Sequence, residues 1–139
     1  MRILAVDHGS KRIGLALSDP SGTIANPLAV ILHRSRVEDA VLVADKANTY
    51  EAELIVVGCS LSEDGQPNYE GRSAIRFSST LRKQVPIPVV LWDESLTTQA
   101  ARAARIEMDV SRRKRMGHLD DFAATVLLQS YLDSRSKEK

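Results

Sequence analysis

The chain has one cysteine among 139 residues. That excludes an intrachain disulfide and a cysteine-based zinc cluster. Aromatic residues are scarce, with one Trp, three Tyr and two Phe, so the core must be aliphatic. Net charge is close to zero, at +1, and by itself neither favours nor disfavours a nucleic-acid partner; the distribution of charge has to decide. No apolar run is long enough for a signal peptide or a membrane span, since the opening run Ile3 to Val6 stops at Asp7. There is no Walker A pattern, no G-x-G-x-x-G, no repeat and no low-complexity tract. What remains is a soluble cytoplasmic protein with one domain's length of chain and 43% hydrophobic residues, enough for a core.

Three short runs carry the apolar weight: Ile3 to Val6, Leu54 to Val57 and Val89 to Trp92. Rich in Val, Ile and Leu without alternation, they predict strands covered on both faces, as in a sheet with parallel pairs. Between them, Val37, Ala40, Val41 and Ala44 recur at helical spacing, as do Ala74, Phe77, Ser78 and Leu81. Helices between strands predict parallel crossovers. Ile13, Leu15 and Leu17 alternate with small residues and predict a second strand joined to the first by a tight turn. Ile24 to Leu32 predicts a third strand at a sheet edge, because Pro27 interrupts it. Residues 61 to 71 form the longest unpatterned loop. Two helices are expected at the end, over Thr97 to Met108 and His118 to Leu132. The expected organisation is a mixed α/β sheet flanked by helices, with one domain over residues 1–133 and a frayed polar tail over 134–139.

Asp7 ends the first buried run, and Asp93 and Glu94 end the third. In a sheet with parallel strands those ends share one edge, so these acids can converge. An Asp at a strand end can equally begin a turn. Asp120 tilts the balance: Ala123, Ala124, Leu127, Leu128 and Tyr131 follow it at helical spacing, forming an apolar stripe that puts Asp120 on the core side. Asp121 is followed on its own face by Thr125 and Gln129, so it reads as solvent-facing. A carboxylate aimed at a core is costly unless paired or bound to metal. Asp7, Glu94 and Asp120, with Asp93 as a further candidate, therefore read as ligands for a hard ion such as Mg²⁺ or Mn²⁺. Two such ions about 4 Å apart would suit in-line attack at a phosphodiester.

Cations supply the other half. Arg112, Arg113, Lys114 and Arg115 run unbroken shortly before Asp120, and Lys11 and Arg12 follow Asp7. Next to the acids they suit phosphates flanking a scissile bond. His8 and His118 adjoin proposed acids and read first as turn residues. Cys59 reads as a small core residue.

Four blocks in order resemble the YqgF family, also called RuvX-like, of Holliday junction resolvases and pre-ribosomal-RNA nucleases. The opening block is Asp7, Gly9, Lys11, Arg12, Ile13, Gly14, Ala16, Ser18 and Asp19. The strand block is Ile55 to Gly58. The third is Asp93, Glu94, Leu96, Thr97 and Thr98, and the last is Asp120, Ala123, Ala124, Leu127, Leu128, Gln129, Tyr131 and Leu132. The resemblance covers nearly the whole chain. It implies a ribonuclease H-like fold with a mixed five-stranded sheet, and metal-dependent cleavage of precursor 16S ribosomal RNA or branched DNA. It also selects Asp120 over Asp121. The chain departs from the family pattern with Cys59-Ser60 in place of Leu-Pro and Ser95 in place of Arg. A monomer or a homodimer is expected, symmetric junction cleavage requiring the dimer. Two other functions suit the same pattern: a phosphotransferase of the actin and sugar-kinase type, which needs two such domains, and a non-catalytic nucleic-acid-binding protein.

Overall fold

The computed structural model describes residues 1–94 and 120–137, with side chains of the last helix described from 122 to 135. The strands are β1 (Ile3–His8), β2 (Arg12–Ser18), β3 (Ala25–Leu32), β4 (Leu54–Cys59) and β5 (Val89–Asp93); the helices are α1 (Arg36–Thr49), α2 (Tyr69–Arg82) and α3 (Asp120–Lys137). They form one five-stranded sheet in the order β3-β2-β1-β4-β5. The first three strands are an antiparallel meander. β4 and β5 join it in parallel, through α1 and α2. This is the mixed sheet expected from the sequence, with β3 at an edge where Pro27 costs no ladder bond to a further strand.

Pleating divides the sheet into two cores. Leu4, Val6, Ile13, Leu15, Ile55 and Val57 face α1 and α2, which contribute Ala40, Val43, Ala74, Phe77 and Leu81. Ile3, Ala5, Ala16, Leu54 and Val56 face α3, which contributes Ala124, Leu127, Leu128 and Leu132. β1 and β4 are covered on both sides, as their unalternating runs predicted. β5 is instead an edge strand, with Leu91 36% exposed.

Local sequence explains the helix starts. Ser35 accepts the Glu38 amide to open α1, and Asn68 accepts the Gly71 amide to open α2. Asn68 also ends the expected loop early, so Tyr69, Glu70 and Gly71 belong to α2. Gly71 is required there, because a Cβ would overlap the Ser60 carbonyl. The buried face of α1 is Asp39, Ala40, Val43 and Ala47; Val37 and Val41, expected on it, are exposed. The turn of α1 is set by burying Asp39, which no apolar pattern can signal. The helix expected over Thr97 to Met108 lies outside the described residues. α3 continues through Ser134 to Lys137, past the expected frayed end, and Ala123 is exposed rather than part of the buried stripe. No helix among the described residues is long and apolar enough to cross a membrane.

α3 is fastened at both sheet edges. Toward β3, the Gln129 Oε1 accepts the Ala25 amide at 3.0 Å, and its Nε2 donates to the Thr23 carbonyl at 3.1 Å. Toward β5, the Trp92 indole donates to Ser130 Oγ at 3.3 Å and meets the Tyr131 ring edge-on. Leu132 lies near Met1 and Ile3, beside the start of β1, whereas Leu127 lies over Gly58 near the end of β4. α3 therefore starts at the C-terminal edge of the parallel strands and runs back across the sheet. Replacing Gln129 with Ala strands the part-buried Ala25 amide. Urea unfolding should show a loss of about 1–3 kcal/mol; unchanged stability would mean that water replaces the amide at no cost.

Candidate active site

The parallel register brings β1, β4 and β5 to a common C-terminal edge: Val6 pairs with Val57, and Cys59 with Asp93. Asp7 shares its pleat with Ile3 and Ala5, on the α3 face. Gly58 shares that face with Leu54 and Val56, and β5 directs Val90 and Trp92 to it. Glu94 follows β5 with its amide bonded to the Cys59 carbonyl at 3.0 Å. Its side chain lies across Gly58, where a Cβ would overlap Glu94 Oε1 and stand 3.0 Å from Leu127 Cδ2. The glycine leaves room for the carboxylate between strand and helix.

Asp7 and Glu94 are hydrogen-bonded to each other through their carboxyl groups. Two carboxyl groups in contact require a shared proton or a cation. Burial raises the Glu94 pKa first, the Asp7 charge and hydrogen bond raise it further, and Glu70 and Asp93 add smaller pushes; the result is about 7. The pair lines a cleft of about 220 Å³ with His8, Gly9, Ser10, Ser60, Tyr69, Glu70 and Ser73.

Other expected site residues fall as follows. Asp93 occupies the pleat opposite Glu94 and Trp92, so it contributes charge from the far side of β5. Lys11 and Arg12 are exposed on the β1–β2 turn beside Ser10 of the cleft. Asp120 opens α3, four and seven residues before the buried Ala124 and Leu127. Its side chain and that of Asp121 lie outside the described residues, as do Arg112 to Arg115 and His118. His8 is not a turn residue: it ends β1 opposite Ile13 and stacks on Phe77 with ring centres 4.5 Å apart. Burial is the main reason its pKa is lowered. Asp19, part of the opening sequence block, anchors the β2–β3 turn by accepting the Thr23 and Ile24 amides at 2.8 and 3.0 Å. The Ile24 amide is the chief cause holding its pKa down at about 2.

Glu70, Tyr69 and Ser73 were not picked out in the sequence. They reach the cleft because α2 begins at Tyr69, and the Asn68 cap is the signal that marks that start. Tyr69, 72% exposed, stands at the cleft as a free aromatic surface.

The raised Glu94 pKa makes stability depend on pH. The folded state keeps a proton that the unfolded chain, at 4.5, releases. The contribution of this group is greatest below about 4.5 and is lost as pH rises through about 7. In chelator, the Tm of wild type relative to Glu94→Gln should fall over that range, and a carbon-13 carboxyl titration should find the Glu94 midpoint near the upper end. Asp7→Asn should bring the midpoint back toward 4.5. A wild-type midpoint already at 4.5 would show that the two carboxyl groups do not interact.

The chain is similar to known proteins. The RuvX family model, described as Holliday junction resolvase, matches residues 1–134. A relative from Syntrophus aciditrophicus, described as a candidate pre-16S rRNA nuclease, is 42% identical over all of this chain and 93% of its own length. One from Caldanaerobacter subterraneus with the same description is 44% identical over 97% of this chain and 98% of its own. Among solved structures, Thermus thermophilus RuvC in complex with a Holliday junction substrate superposes with a TM-score of 0.65 at 15% identity, covering 98% of this chain and 96% of that one. The fowlpox virus resolvase bound to junction DNA does so at 0.60 and 16%, covering 97% and 99%. The sheet order and these likenesses make the fold ribonuclease H-like, and the chain belongs to the RuvX family of Holliday junction resolvases.

Proposed function

We propose that this chain is a divalent-metal-dependent nuclease that hydrolyses phosphodiester bonds in structured nucleic acid, acting in the cytoplasm through one domain over residues 1–133. The carrying observation is the contact between the Asp7 and Glu94 carboxyl groups at the C-terminal strand edge. A cation can replace the proton that now lets the two approach. The donors are all oxygen, which fits Mg²⁺ or Mn²⁺. Asp7 and Glu94 would hold the ion from the sheet and Asp120 from α3, a reading supported by the direction in which α3 crosses the sheet. When bound, the ion supplies Lewis acidity and lowers the pKa of a water molecule.

The chain's own groups do the rest. Gly58 keeps the floor under Glu94 open. Glu70 adds negative charge that favours a cation in the cleft. Lys11, Arg12 and Arg112 to Arg115 would grip phosphates on either side of the scissile bond. Precursor 16S rRNA is the preferred substrate, because relatives at 42% and 44% identity that match nearly end to end carry that description. The resolvase structures, at 15% and 16% identity, speak only for the fold.

The full chain should cleave a precursor 16S rRNA fragment with Mn²⁺ and not with chelator. A four-way DNA junction run in parallel distinguishes the substrates, and absence of metal-dependent cleavage of either would refute the nuclease reading. Asp120→Asn should abolish cleavage while leaving Tm in chelator equal or higher, since Asn also suits a helix start and a costly charge is gone. Asp121→Asn should do little. The opposite pattern for the pair would move the ligand to Asp121.

Replacing Arg112, Arg113, Lys114 and Arg115 together with Ala should weaken RNA and DNA binding alike. The dependence of log affinity on log salt should flatten by up to roughly three to four units. An unchanged slope would remove this run from the interface.

A further inference from the structure

A second group of metal-ligating side chains stands apart from the carboxylate pair. Among the described residues, donor atoms of His8, His33 and Asp39 lie within 4.8 Å of one another. They come from three elements. His8 ends β1, on the pleat that Leu4 and Val6 turn toward α1 and α2. His33 follows β3, held there by its amide bond to the Lys11 carbonyl at 2.9 Å. Asp39 lies in the first turn of α1, fully buried. Asp7 occupies the opposite pleat of β1, so its carboxyl group and the His8 imidazole leave the strand toward opposite faces, although both line the cleft at the strand end.

Polar bonding within the group is incomplete. Asp39 Oδ1 accepts the Arg34 amide at 3.0 Å, and Oδ2 lies 2.5 Å from His33 Nδ1. His8 Nε2, by contrast, is buried without a hydrogen-bond partner. A buried imidazole nitrogen left unsatisfied is costly. Stacking on Phe77 and edge contact with His33 fix the ring, so the nitrogen cannot readily turn to water. The His33 side chain is 35% exposed, which gives an ion a way in and leaves a coordination position facing solvent.

We propose that His8, His33 and Asp39 form a binding site for a borderline divalent ion of the Zn²⁺ class, with a donor set distinct from the Asp7–Glu94 pair although His8 also lines the nuclease cleft. Two imidazoles and one carboxylate favour such an ion over Mg²⁺. Metal–donor bonds of about 2 Å require donors roughly 3.3 Å apart, so small side-chain movements close the group around the ion. The ion takes the place of the proton between His33 and Asp39, and that proton leaves to solvent. It also gives the His8 imidazole a partner in the group. Bound there, it ties the end of central strand β1 to the junction of edge strand β3 with α1.

The test is calorimetric titration of the chelator-stripped full chain with ZnCl₂ in excess Mg²⁺, which occupies oxygen-only sites. One Zn²⁺ should bind with proton release and raise Tm. Histidine-selective nitrogen-15 NMR should show two of the three imidazoles shifting. His33→Gln keeps a donor for Asp39 but has no imidazole, and should lose affinity by roughly tenfold or more. Glu94→Gln should bind Zn²⁺ as wild type does, which distinguishes this donor set from the Asp7–Glu94 pair. If His33→Gln fails to fold, the wild-type NMR decides alone: a single shifted imidazole, or none, overturns the proposal. So does Zn²⁺ binding lost in Glu94→Gln and kept in His33→Gln, or absence of Zn²⁺ binding in excess Mg²⁺.

Discussion

The contact between Asp7 and Glu94 sets the demands that the surrounding structure meets. Two acids, Asp7 in the buried strand β1 and Glu94 just past the edge strand β5, are held in hydrogen-bonding contact. Like charges at that separation repel strongly in a partly buried cleft. The arrangement stands because parallel pairing fixes the strand ends at one edge, and because Gly58 gives up a side chain to make room. On the proposed reading, the same repulsion would favour a cation: what destabilises the pair without metal would be relieved by an ion between the two acids.

Pleating assigns chemistry to the two faces. Along β1, Asp7 turns to the α3 face with Ile3 and Ala5, while His8 turns to the α1 and α2 face with Leu4 and Val6. Neighbouring residues therefore enter environments with different donors: carboxylates on one side, imidazoles and a single buried Asp on the other. Hard and borderline ions prefer these two sets differently. α3, pinned by Gln129 at β3 and by Trp92 at β5, holds its first turn over the carboxylate edge.

Much of this was legible from residues alone. The runs Ile3 to Val6 and Leu54 to Val57 read as strands buried on both faces, and they are. Pro27 marked an edge strand. Asp7 and Glu94 could be expected to meet, because strand ends in a parallel sheet are neighbours whatever their separation in sequence. The tilt of α1 was not legible: Val37 and Val41 look like core and are exposed, because Asp39 takes the inner position. Apolar periodicity cannot anticipate a helix that turns to bury a charge.

The sequence by itself determined the elements, their order and the strand-end acids, since each follows from local pattern: burial on one or both faces, caps such as Ser35 and Asn68, and turns. Tertiary structure alone decided which further residues join or leave each site. Glu70 enters the cleft because α2 starts beside Ser60, Asp93 faces away from Glu94 by one step of the pleat, and His8 meets His33 and Asp39 because three elements cross at one corner. Such meetings depend on register and helix rotation, and these are fixed by packing between segments rather than by any one of them.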